Sequence, residues 1–310
     1  MADDREQAIR EAFRQQAGWC HQLGSRFTAL LCEILAARLD RSTATGRAIL
    51  AWQGSADPLF DVVPLRLTGA LHAMVRRGQL ADLAAFYPPA PLPEAEAMWP
   101  VLAAALRDKD RELLGWLDSP PQTNEAARSA PLMAGMLVIA SRTGLPCALY
   151  EVGTSAGLNL VMDRYAYDLG GLGVGDPASP LRLQPEWRGP PPPAARLQVV
   201  RRRGADLNPL DVTRAEDRER LLAYVWPDQP QRLERMAAAI ALAAADPPAI
   251  DRADAGDWVR GQLDPEPEVG CVRVLFHSIA FQYFPASSKA AIVEHLARVG
   301  ARATAKAPLA

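Results

Sequence analysis

The stretch LYEVGTSAGLNL, residues 149–160, constrains the fold more than any other part of this chain. An apolar run, residues 147–150, ends in an acid, Glu151, and Gly153, Ser155 and Gly157 follow at alternate positions. Asn159 lies in a run that can continue as a helix. The pattern reads as strand, tight turn, helix. Such a turn lets backbone approach a ligand closely and aims helix N–H groups at it. An acid at the strand tip can accept two hydrogen bonds from a ribose, so the combination points to a nucleoside-containing cofactor.

That strand needs a sheet, and the flanking sequence supplies one on its C-terminal side only. Before residue 145 the apolar positions recur at helical spacing. Helices are expected over residues 4–19, 27–39, about 65–77 with Gly78 as the stop, and about 94–116 with Pro100 as the candidate break. His72, on an apolar helix, reads as a satisfied core histidine, and Trp226 with Pro227 as a packing corner. A fifth helix should start near Asn124, capped by Thr123 or Asn124, and end at Gly144. After the turn, residues 170–193 are rich in glycine and proline and read as a long loop, either a ligand cover or an insertion. Further strands are expected at 197–202, 249–252 and 271–276. Helices at 214–225, 231–245, 258–263 and 287–298 alternate with them.

Strands alternating with helices predict a mostly parallel α/β sheet. The expected organisation is an all-helical domain over residues 1–120 and a sheet domain over 121–310. The fourth strand would stand at an open edge, so the native chain is expected to continue beyond Ala310.

Composition excludes several classes. With 49% apolar residues the chain can build a real core, and a formal charge of −2 gives no global field for nucleic acid or anionic membrane. The run Arg201-Arg202-Arg203 reads as a solvated edge. Cys20, Cys32, Cys147 and Cys271 form no CxxC pair, which fits reduced thiols in a cytoplasmic protein and no metal site. The charged, helical N-terminus is not a signal peptide, and no apolar run approaches a membrane span. Oligomeric state is not legible.

Taken in order, the acid and glycine turn, Asp206 in the D-L-N-P run, Asp254 and Asp257, and the F-H-S run ending in Ser278 resemble the class I S-adenosylmethionine-dependent methyltransferases over residues of about 120 to 300. The resemblance implies a Rossmann-like sheet with S-adenosylmethionine as cofactor. Glu151, Gly153, Ser155, Gly157 and Asn159 would form the cofactor turn, Asp206 would hold the ribose, and Asp254 or Asp257 the adenine amine. His277 would stand at the reaction centre as a general base, and the methyl acceptor would be a small molecule. Gln122, Asn124, Glu125 and Arg128 either brace a helix or line the cleft. Ser155 replaces the middle glycine of the methyltransferase pattern. His277 and Ser278 replace the acid-or-amide and proline pair of many nucleic-acid enzymes, so base methylation is not favoured. More closely, the chain resembles an uncharacterised bacterial domain-of-unknown-function family. The shared marks are QTNEAAR (122–128), LYEVGTSAGLNLVMDRY (149–165), GADLNPLDV (204–212), YVWPDQ (224–229) and VLFHS (274–278). That resemblance implies no established activity.

Two other chemistries share these residues. Residues 153–157, GTSAG, also match the G-x-S-x-G nucleophile elbow of serine hydrolases, with Ser155, then Asp206 or Asp257, then His277 in hydrolase order. The helical character of everything upstream, the lack of an HGGG-type stretch and the position of His277 against a core strand count against it. A non-catalytic nucleoside-binding sensor would need the turn and Asp206 but not His277.

Overall fold

The computed structural model describes residues 2–57, 60–265 and 268–310. It divides into two compact units, Met1–Thr123 with Glu219–Glu234, and Asn124–Arg218 with Arg235–Ala310. The first unit therefore takes back a segment from far along the chain.

The first unit is helical: α1 (Ala2–Gln22), α2 (Arg26–Arg38), α3 (Ala44–Leu50), α4 (Val63–Arg76), α5 (Ala81–Ala84), α6 (Ala95–Asp108) and α7 (Asp110–Trp116). Pro100 lies inside α6 and the break falls at Lys109 instead. Ile9 and Phe13 of α1 share a core with Leu31 and Leu35 of α2 and Leu67 and Leu71 of α4. The returning segment has a specific local task. Ser25, at the N-cap of α2, makes no side-chain cap bond. The Asp228 carboxylate fills that role, accepting from the Ser25 hydroxyl at 2.5 Å and the Phe27 N–H at 2.9 Å. Trp226 packs on the same core. His72 is buried, its Nδ1 3.1 Å from the Ala223 carbonyl, and burial lowers its pKa to about 4, as a satisfied core histidine requires.

The second unit is built on α8 (Ser129–Thr143), β1 (Cys147–Val152), β2 (Ala166–Leu169), β3 (Leu172–Gly175), β4 (Arg182–Leu183) and β5 (Val199–Asp206). Then follow α9 (Ala215–Ala223), α10 (Pro230–Ala245), β6 (Ala249–Arg252), α11 (Ala255–Leu263), β7 (Val272–Phe276) and α12 (Ala286–Gly300). Helices α9 and α10 begin and end on different sides of the unit division. The main sheet has the order β6-β5-β1-β7, and each neighbouring pair is parallel. The six residues of β1 are all buried, as a central parallel strand covered on both faces should be. Arg201, Arg202 and Arg203 on β5 pair with Glu268, Asp163 and Asp251, so the arginine run is neutralised locally. The outer edge of β7 is not bare. Arg273 N–H donates to the Pro308 carbonyl at 3.0 Å, and Ala310 N–H to the Arg273 carbonyl at 2.9 Å.

The region after β1 also departs from the sequence reading. Residues 170–193 are not one long loop: β2 and β3 form an antiparallel hairpin, with β4 parallel on the other side of β2. Its turn is Gly170-Gly171, both at positive φ, with Gly171 N–H donating to the Asp168 carboxylate at 2.8 Å. The helix expected after the glycine turn is a short 3-10 segment, Leu158–Arg164, kinked at Val161. Fully buried Tyr165 and Tyr167 hold it, donating their hydroxyls to the Leu158 and Met162 carbonyls at 2.5 and 2.8 Å.

Candidate functional site

Parallel strands carry their loops to one edge. The chain runs from β1 outward through β5 to β6, then returns to the opposite side of β1 as β7. Between β1 and β7, therefore, the connections leave the carboxyl edge in opposite directions, which is where open α/β sheets bind ligands. Residues 153–157 follow β1 at this place, Asp206 ends β5, and His277 and Ser278 follow β7.

Glu151 does not face that edge openly. It is 0% exposed, accepts from the Thr154 hydroxyl at 2.5 Å and from the Asn159 amide at 3.4 Å. Burial raises its pKa to about 8, against the opposing effect of those two donors and of the Arg128 charge. The carboxyl group thus holds its proton well above the ordinary carboxylate range, and through Thr154 and Asn159 it braces the turn.

The turn spends most of its own donors. Gly153 and Thr154 N–H both donate to the Ala205 carbonyl, at 2.8 and 3.2 Å, and Gly157 N–H to the Thr154 carbonyl at 2.8 Å. Ser155 N–H donates to Asp206 at 2.9 Å, and Leu158 N–H to the Asn124 side chain at 2.8 Å. A phosphate cradle needs such N–H groups free, so this turn is not one. Gly153 and Gly157 are both left-handed, with φ of 66° and 73°. A Cβ on Gly153 would lie 2.2 Å from Ala280 Cβ, and one on Gly157 2.6 Å from Pro248 Cγ. The close approach that these glycines permit is thus used by the protein's own residues. Ser155 itself sits at φ 54°, its hydroxyl buried and without a hydrogen-bond partner among the described residues. The Asn159 Oδ1 is also buried and unpartnered, while its amide nitrogen donates to Ser278 Oγ at 3.1 Å.

Asp206 is half-buried, with one carboxylate oxygen taking Ser155 N–H and the other taking Asn208 N–H at 2.9 Å. A carboxylate has about four lone-pair sites, so each oxygen keeps acceptor capacity for a ligand. The other acids are differently employed. Asp254 is the N-cap of α11, accepting from Gly256 and Asp257 N–H, and also takes the Ser288 hydroxyl at 3.0 Å. Asp257 is exposed and pairs with Arg260. His277 is exposed and stacks on Phe281, ring centroids 5.1 Å apart at 17°; desolvation holds its imidazole below the usual value.

Of the N-terminal group, Glu125 caps the 3-10 turn Ala126–Arg128 through Ala127 N–H and pairs with Arg235 at 2.9 Å. Arg128 donates to the Ser278 carbonyl at 3.2 Å. Gln122 belongs to the helical unit. Thr154, Ser278 and Ala280 were not singled out as site residues in the sequence; only the Gly153–Ala280 approach reveals the last, and no local pattern encodes it. Among the described residues, no group of three or more His, Cys, Asp or Glu could hold a metal, and no helix is long and apolar enough to cross a membrane.

A family model described as "Uncharacterized protein conserved in bacteria (DUF2332)" matches residues 10–310. No curated protein and no solved structure matches the chain.

Proposed function

The chain belongs to that bacterial DUF2332 family, and from its site geometry we propose that the second unit binds S-adenosylmethionine and transfers its methyl group to a small molecule. The parallel order β6-β5-β1-β7 supports a Rossmann-like domain with the ligand at the edge where β1 and β7 diverge. Asp206 carries the reading. Two backbone N–H groups fix its carboxylate at the end of the neighbouring strand, and its remaining lone pairs suit the vicinal hydroxyls of a ribose. The buried, unpartnered Ser155 hydroxyl offers a further polar contact. The spent N–H groups of the turn argue against a phosphorylated nucleotide and favour a nucleoside cofactor that lacks phosphate.

When bound, the cofactor supplies an electrophilic methyl group. The protein's contribution is to hold the two reactants in line and exclude water, which is worth ~7–11 kcal/mol in well-oriented systems. His277, at the tip of β7 with a lowered pKa, is suited to take the proton from an acceptor. Asp254 and Asp257 are left out of the cofactor set, because capping and pairing occupy them. A serine hydrolase is less well supported: a nucleophile needs a base in reach, and the Ser155 hydroxyl has no hydrogen-bond partner among the described residues.

A thermal-shift series with S-adenosylmethionine, S-adenosylhomocysteine, ATP and NAD tests the reading. Stabilisation by the first two alone, of about 2.7 kcal/mol at a hundredfold excess over Kd, is expected. Stabilisation by ATP or NAD alone contradicts it. Binding without methyl transfer to any acceptor would make the protein a sensor.

A further inference from the structure

We propose that residues 279–284 are a latch that closes the ligand crevice in the free protein and must move away from Gly153 for cofactor to enter; this inference rests on the binding reading above. The segment leaves β7 and lies directly on the glycine turn. Ala280 occupies the space beside Gly153, where an added Cβ would come within 2.2 Å of its own, and the Phe284 ring stands 3.6 Å from the same point. An adenosyl group approaching the turn would meet these two side chains first.

The latch is held by few bonds and is strained at its root. Ile279 has φ 72° and ψ −37°, a conformation that a β-branched residue adopts only under constraint. Ile279 is 50% exposed and Tyr283 61%, and no residue of the 3-10 turn Ala280–Tyr283 is fully buried. Phe281 and Phe284 are partly buried against the core of the sheet unit, so these two rings are what the segment must withdraw, and moving it relieves Ile279. Its polar ties are peripheral. Arg128 donates to the Ser278 carbonyl at 3.2 Å, Lys289 to the Gln282 carbonyl at 2.9 Å, and His277 stacks on Phe281. Few polar ties, partial exposure and a strained root are what an element that moves as a unit needs. The closed site and the cofactor-like turn are then two states of one crevice.

Hydrogen–deuterium exchange on the full chain, with and without S-adenosylmethionine, tests this together with Ala280→Gly and Phe284→Ala. In the free protein both variants should speed exchange at residues 153–157 several-fold, and both should bind the cofactor several-fold more tightly. Cofactor should slow exchange at 153–157 and speed it at 279–284. If neither variant exposes the turn in the free protein, the latch is refuted whatever binds. If cofactor slows exchange at both segments, the segment clasps ligand instead of yielding to it; the latch fails and the binding reading survives. If the variants expose the turn but cofactor alters exchange nowhere and binds neither variant, the binding reading fails, and the latch as its gate with it.

Discussion

The Thr154 hydroxyl donates a 2.5 Å hydrogen bond to the Glu151 carboxyl group in a place with no solvent access. Burial keeps that carboxyl protonated up to a pH of about 8, well above its ordinary 4.5. The native state thus retains a proton that the unfolded chain releases. The resulting stability is full below pH 4.5, declines as pH rises, and is gone above about 8. Its size is on the order of 5 kcal/mol, at ~1.4 kcal/mol per unit. Glu151→Gln keeps an acceptor for Thr154 and should flatten this slope. Denaturant unfolding at pH 5, 7 and 9 checks it; an unchanged slope in the variant contradicts a neutral Glu151.

His72 should act in the opposite sense. Its folded pKa of about 4 lies below the ordinary 6.5, so stability is present above 6.5 and lost as pH falls towards 4. His72→Asn, which can still donate to the Ala223 carbonyl, should make the protein less sensitive between pH 6.5 and 4. Melting followed across that window reads the difference.

Gly153→Ala should destabilise by more than the ~1–2 kcal/mol expected for a left-handed alanine, because the new Cβ meets Ala280 at 2.2 Å. Pairing it with Ala280→Gly should recover the steric part of the loss. A double-mutant cycle in urea measures the coupling, expected at about 0.5–3 kcal/mol for residues in contact. Strict additivity would deny the contact.

Asp254→Ala removes the cap of α11 and should cost about 1 kcal/mol of stability. Cofactor affinity should not change. A large loss of affinity at unchanged stability would restore Asp254 to the adenine site.

Most regular elements were legible because their signals are local. Expected strand 249–252 coincides with β6, and Gly144 closes α8 with φ 65°. The hairpin β2–β3 was hidden because its strands have four residues each and enclose the glycine pair that marks a loop. Helix α3 was hidden because it is only seven residues long, and its anchorage, Ala44 and Thr45 N–H on the Asp110 carboxylate, comes from a distant part of the chain. At the site, the sequence order of Glu151, Asp206 and His277 was legible, but their exposure was not. Whether an acid faces ligand or is sealed under Thr154 depends on residues 159 and 278 as much as on its own neighbours.

Calorimetric titration of the full chain and of Asp206→Ala with S-adenosylmethionine tests the central claim most directly. The native protein should bind saturably, and the variant, still cooperatively folded though with a melting temperature lowered by the loss of the acceptor for Ser155 and Asn208 N–H, should bind at least ~10-fold more weakly, the loss of about 1.4 kcal/mol. No heat of binding in the native protein, or equal affinity in the two, would contradict an adenosyl site at the carboxyl end of β5.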